Sequence, residues 1–140
     1  MLKNIFAIAG TALSAQTIRM NTTASNLANA GSISPNEDEA FRAKRPVFRA
    51  LVDQADLNAG FNALGGVKVK EVVDSTEPVR KVHDPGNPEA NDEGFVYLSN
   101  VNEVTEMVEM VAASRSFQNN VEVVTTARQL MMRTLDITKA

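Results

Sequence analysis

Apolar residues recur at heptad spacing at both ends of the chain, and the middle has a different character. From Asn100 to Thr138 there is no Gly or Pro. Within it Met107, Met110, Ser114, Phe117, Val121, Val124, Arg128, Met131 and Leu135 follow alternating steps of three and four, apolar except at Ser114 and Arg128. That pattern predicts one helix reaching ~57 Å, with a seam that requires a partner. Asn100, three residues before Glu103, reads as its N-cap with a capping-box partner. A further stripe, Val104, Val108, Val111 and Ala112, lies on an adjacent face. At the other end, residues 4–29 predict an amphipathic helix of ~39 Å. Phe6, Leu13, Met20 and Leu27 repeat every seven residues, with Ala9, Gln16 and Thr23 or Ala24 between them. The many alanines of this stretch let a neighbouring helix approach closely. Gly31 is expected at a left-handed C′ position, and Pro35 prevents resumption.

Between the helices, residues 32–40 (SISPNEDEA) are polar and acidic and read as a loop. A short strand is expected over residues 45–52, entered at Pro46, because proline fits the start or edge of a strand better than its centre. Residues 53–66 carry Asn58, Gly60 and Gly65-Gly66 and predict no regular element. The alternation in Val67-Lys68-Val69-Lys70-Glu71-Val72 is that of a strand with one face on a core and one in water. Residues 77–82 continue extended. Residues 83–94 are dense in turn formers, and Phe95-Val96-Tyr97-Leu98 reads as a last short strand.

The expected fold class is therefore α+β, with long N- and C-terminal α-helices forming an antiparallel coiled-coil-like pair and a small β-rich insert between them. In residue terms this is 1–31 for the first helix, 32–99 for the loop and insert, and 100–140 for the second helix. One partner does not suffice for the longer helix. Pairing the two helices fills a single side, and an overhang of ~18 Å and the Val104–Ala112 stripe stay uncovered. Burial of one seam is small against the backbone entropy of ordering so long a segment. The termini are thus expected to be largely unfolded in an isolated subunit and helical in an assembly of many copies.

Composition narrows the function classes. The chain has 140 residues, enough for one domain, but aromatics are only 5% and Trp is absent, so a large core is not expected. The net charge of −3, from 17 acidic and 14 basic residues, comes without a basic patch, and no nucleic acid is implied. The absence of Cys excludes disulfides and thiol catalysis and leaves the compartment open. No run of ~20 apolar residues exists to span a membrane. The first sixteen residues (MLKNIFAIAGTALSAQ) can be read as a weak secretory signal cut near Ala15 or Gln16, which would make the mature chain a small periplasmic binding module. The heptad register runs straight through that cut, which favours a retained helix.

Candidate chemistry is sparse. His83 beside Asp84 is the one acid/base pair, and sequence neighbours seldom converge on a substrate. Glu37-Asp38-Glu39, and Asp92-Glu93 with Asp84, lack an ordered ligand spacing. Gly65-Gly66 is a turn and not a phosphate loop. No enzyme, cofactor, metal or small-molecule substrate is expected.

Residues 11–29, closing on Asn26-Leu27-Ala28-Asn29, resemble the A-x-x-N-L-A-N signature shared by the bacterial flagellar axial proteins of rod and hook. Asp84-Pro85-Gly86 through Gly94, Asn100-Val101-Asn102, Glu106-Met107-Val108, Ala113-x-Arg115 and Ala127-Arg128 are similar to the proximal rod subunits of that family. The resemblance implies export through the flagellar type III apparatus without a cleaved signal. It also implies polymerisation into the rod that crosses the periplasm and transmits torque, with the terminal helices forming the inner tube. The implied partners are copies of the chain itself, other proximal rod subunits, the hook-basal body adaptor protein, the distal rod protein and the export apparatus. Together, seam and resemblance place Phe6, Leu13, Met20, Asn26, Leu27, Asn29, Asn100, Asn102, Met107, Met110, Phe117, Val121, Val124, Arg128, Met131 and Leu135 at subunit interfaces.

Overall fold

The chain is represented by a computed structural model, which describes residues 2–51 and 65–139. Its elements are α1 (Leu2–Ala28), β1 (Ile33–Ser34), β2 (Lys44–Ala50), β3 (Val67–Asp74), β4 (Arg80–His83), β5 (Phe95–Leu98) and α2 (Glu103–Lys139). This is the α+β arrangement expected: two long helices around a small β-rich insert. The loop expected over 32–40 yields the two-residue strand β1, and residue 52, expected at the end of a strand, lies outside the described residues.

The helices run antiparallel. Asn26 near the end of α1 meets Glu106 near the start of α2, Arg19 meets Glu109, and Ile5 faces the region 119–130. With 27 residues against 37, the last turns of α2 extend past the start of α1 by roughly 15 Å.

Both junctions between helix and insert differ from expectation. Among the described glycines only Gly94 has a positive φ, 78°, so α1 does not end on a left-handed Gly31. It tightens instead: the N–H groups of Asn29 and Ala30 donate to the Asn26 and Leu27 carbonyls at 3.1 and 3.2 Å, and Asn29 Nδ2 donates to the Ser25 carbonyl at 2.8 Å. At α2 the N-cap is Asn102, whose Oδ1 accepts from Thr105 N–H at 3.1 Å. Asn100 is drawn inward: its Oδ1 accepts from Ala43 N–H, and its Nδ2 donates to the Glu77 carbonyl, both at 2.7 Å. Such a bracket ties three segments together, which a helix cap could not do.

The insert forms two antiparallel sheets, one in the order β1-β5-β4 and one of β2 with β3. Pro46 is tolerated inside β2 because a two-stranded sheet has a free edge on every strand. The alternation of β3 yields half-buried Val67 and Val69, but Val72 and Val73 are exposed, so the expected core under the whole strand is missing. Thr11 anchors this sheet to α1. Its Oγ1 accepts from Val67 N–H at 3.2 Å, and a Cβ at Gly66 would crowd that oxygen at 3.1 Å. The loop between β4 and β5 is closed by Asn91, whose Oδ1 accepts from Phe95 N–H at 2.9 Å, with Gly94 supplying the positive φ.

The core sits where α1 ends, α2 begins and the strands arrive, and it is made of small residues. Ala30, Ala43 and Val101 cluster there with Phe41 beside them. The largest fully buried side chains are polar: Glu106, Asn26 and Ser99, each 0% exposed.

Candidate functional site

The surface of α2 is divided between two uses. Facing α1 are Glu106, Met110, Ala113, Phe117, Asn120, Val124, Ala127 and Met131, buried or half-buried in an alternating four-three rhythm. Met110, Phe117, Val124 and Met131 belong to the seam expected from the sequence. At its other steps Met107, Val121 and Arg128 are exposed and Ser114 is half-buried, and Glu106, Ala113, Asn120 and Ala127, each one residue earlier, face inward. Ala9 and Ala15 of α1 are buried as well, and small residues such as these and Ala113 and Ala127 let the two helices approach closely. On α1 the expected Phe6, Leu13, Met20 and Leu27 are all half-buried.

What the pairing rejects is exposed. Val104 is 72% accessible and Val108 63%, and Met107 and Val111 lie beside them on the face of α2 turned away from the seam. Val121 and Leu135 are partly exposed, and Arg128 is exposed with no ion pair among the described residues. A monomeric soluble protein rarely keeps a contiguous apolar stripe of this kind without a partner for it.

The stripe is held in place by a polar joint that the sequence did not announce. Asn26 Nδ2 donates to the Lys44 carbonyl at 2.9 Å and to Glu106 Oε2 at 3.0 Å, and Lys44 N–H donates to Asn26 Oδ1 at 2.8 Å. Glu106 Oε1 lies 2.6 Å from Arg45 Nη1, close enough to pair charges but outside hydrogen-bond geometry. One side chain from α1, one from α2 and the backbone of β2 thus meet at a single dry point. Beside it Ser99 Oγ donates to the Ala30 carbonyl at 2.6 Å. One turn further along α2, Arg19 donates to Glu109 Oε2 through Nε at 3.1 Å and through Nη2. Asn26 therefore acts inside the subunit, as do Asn29 and Asn100, whereas Asn102 is exposed at its cap. Glu106 had no sequence signal of this role, because an acid in the first turn of a helix ordinarily reads as a solvated complement to the helix dipole.

The other candidate chemistry does not converge. His83 packs edge-on against Phe95, ring centroids 4.9 Å apart, with no hydrogen bond to a carboxylate among the described residues. Lys81 Nζ lies 4.0 Å above the same Phe95 ring. Among the described residues no group of three or more metal-ligating side chains comes together, and no helix is long and apolar enough to cross a membrane.

Comparison with known proteins matches both ends of this architecture. Residues 6–30 fit the family described as "Flagella basal body rod protein", and residues 92–137 fit "Flagellar basal body rod FlgEFG protein C-terminal". The flagellar basal-body rod protein FlgC of Salmonella typhimurium is 47% identical over 136 residues, covering 97% of each chain. That of Yersinia enterocolitica is 44% identical over 136 residues, again covering 97% of each. That of Bacillus subtilis is 30% identical over 143 residues, covering 94% of this chain and 95% of its own. The segments matched by the family models cover most of both paired helices, Asn26 and Glu106 among them, and the chain belongs to the family of the flagellar basal-body rod protein FlgC.

Proposed function

We propose that the chain is a structural subunit of the rod of the flagellar basal body, and that it polymerises with copies of itself and with neighbouring rod components through its two terminal helices. The observation that carries this reading is the division of α2: one face is consumed by α1, and the opposite face is an exposed apolar stripe on a chain with a minimal core. A subunit of a shaft that transmits torque needs its load-bearing helices fixed to the rest of the chain, and the Asn26–Glu106–Lys44 joint supplies that connection. Export as an unfolded chain, completion of the helix pair on incorporation, and a position in the proximal rod across the periplasm follow from the same reading. The relatives lend no support to a small periplasmic binding module. Ala15, where a signal would be cut, is buried in the middle of α1.

Val108→Asp together with Val121→Asp tests the assembly reading, because both residues are exposed and neither supports the internal pairing. In cells lacking the native copy, this variant is expected to be exported yet absent from purified basal bodies, with motility lost. Normal incorporation would overturn the reading. Val124→Asp is a poorer probe, since Val124 is half-buried in the seam and its loss confounds folding with assembly. His83→Ala is expected to leave basal-body composition and motility at the native level; a loss of motility in intact basal bodies would reveal a role for His83 that a structural subunit does not need.

A further inference from the structure

The ribbon of β2 and β3 carries a charge pairing that its own ladder does not explain. Lys44 and Asp74, directly opposite each other at one end, have opposite signs and meet at 2.8 Å. Toward the other end Arg49 lies directly opposite Lys68. Cross-strand partners project from the same face with Cβ atoms ~5 Å apart, and like charges so placed destabilise a sheet. The register shift between Val47 and Phe48 creates this pairing. Continued unshifted from the Lys44–Asp74 and Val47–Glu71 rungs, the ladder would set Arg49 opposite Val69.

The subunit supplies nothing to neutralise the pair. Arg49 and Lys68 are exposed, and neither has an ion pair among the described residues. Glu71, the nearest acid along β3, is held by Lys70 Nζ at 3.0 Å. Glu106 is taken by Arg45, four residues and ~13 Å back along β2. α1, to which this end of the ribbon is tied through Thr11 and Val67, contains no Asp or Glu.

The anion therefore comes from outside the subunit, and the number of charges selects its kind. Membrane surfaces and nucleic acids are gripped by clusters of roughly four or more basic residues. Here there is one pair, on a chain of net charge −3. A guanidinium fork beside an ammonium matches a single carboxylate, with two parallel N–H donors from Arg49 and a point charge from Lys68.

We propose that Arg49 and Lys68 form a docking site on the insert for a carboxylate side chain of a neighbouring protein subunit. This rests on the rod-subunit reading above and adds to it a contact away from the terminal helices, set in register by the shift in the ribbon. A carboxylate seated there converts a repulsive rung into an attractive one, so the ribbon gains stability as the neighbour binds.

Carbodiimide treatment of purified basal bodies tests the contact, because the reagent joins an ammonium and a carboxylate in direct contact as an amide and takes up the water released. Lys68 is expected in cross-linked peptides whose second member carries an Asp or Glu of another polypeptide. A Lys68 cross-link confined to the monomer band after electrophoresis would show that the chain supplies its own carboxylate. Lys68 acetylated in intact basal bodies as fast as in the denatured chain would show that nothing covers it. Either result overturns the proposal. Arg49→Gln together with Lys68→Gln removes the repulsion within the subunit, so its export and cellular level are expected to match the native chain while incorporation falls roughly fivefold or more. Normal incorporation of this variant overturns the proposal as well. Binding of the purified chain to vesicles containing phosphatidylglycerol, lost in the same variant, would assign the pair to a lipid headgroup and overturn it too. Should the native chain be missing from purified basal bodies, it is the rod reading itself that fails, and the native control separates that outcome from the others.

Discussion

Asn26→Asp is expected to remove the chain from the rod, although it exchanges an amide for a group of nearly the same size. In the native chain Asn26 donates twice, to the Lys44 carbonyl and to Glu106 Oε2, and accepts once, from Lys44 N–H. Aspartate keeps the acceptor and loses both donors. It also sets a second carboxylate where an amide now lies 3.0 Å from one that is fully buried. Each buried polar group left unpartnered costs about 1–3 kcal/mol, and two like charges out of water cost more. A total of about 4 kcal/mol, roughly a thousandfold in the folding equilibrium, is a large part of the stability of an ordinary domain. Asn26→Ala is expected to be milder, because it removes the donors without adding charge. The measurement is the amount of each variant in purified basal bodies, with its level in the cell as control. Normal incorporation of Asn26→Asp would mean that the joint does not hold the helices to the insert.

The second large effect is expected at Ala113, which is fully buried between the helices. Ala113→Leu adds three carbon atoms at a seam where Ala127, Ala9 and Ala15 are also buried. Overpacking costs about 1–3 kcal/mol locally, and helix axes ~8 Å apart at small contacts move toward ~10 Å at large ones. A displacement of that order shifts the outer stripe relative to the rest of the subunit, so the loss of assembly is expected to exceed the loss of stability. Ala113→Ser, which preserves the volume, is expected to assemble nearly as the native chain does. Electron microscopy of basal bodies from the two strains checks this, and intact rods containing Ala113→Leu would show that the helix separation is not critical.

Both sites bear on how far the chain could be read before its fold was known. The existence of the two helices follows from apolar periodicity and from the lack of breakers, which are local properties. So do the strands at 67–72 and 95–98, where alternation or a short apolar run is bounded by turn residues. The seam of α2 was half legible. Met110, Phe117, Val124 and Met131 were visible because they are large. The intervening inward steps were not visible, since a seam is normally sought by its bulk and here half of it is Ala, Asn and Glu. Asn100 and Asn102 illustrate the same limit. Either could cap a helix by spacing, and only the presence of Ala43 and Glu77 beside Asn100 decides between them.

By itself, then, the sequence determined which segments are helical, roughly where they stop, and that one of them carries more apolar surface than a single partner can cover. Hydrogen-bonding patterns and side-chain periodicity along the chain are sufficient for that. The tertiary structure alone decided which face of α2 is spent inside the subunit and which is left for assembly. That choice depends on how closely α1 approaches, and the approach is set by alanines far away in sequence and by a buried contact between Asn26, Glu106 and Lys44 whose members have no periodic relation to one another.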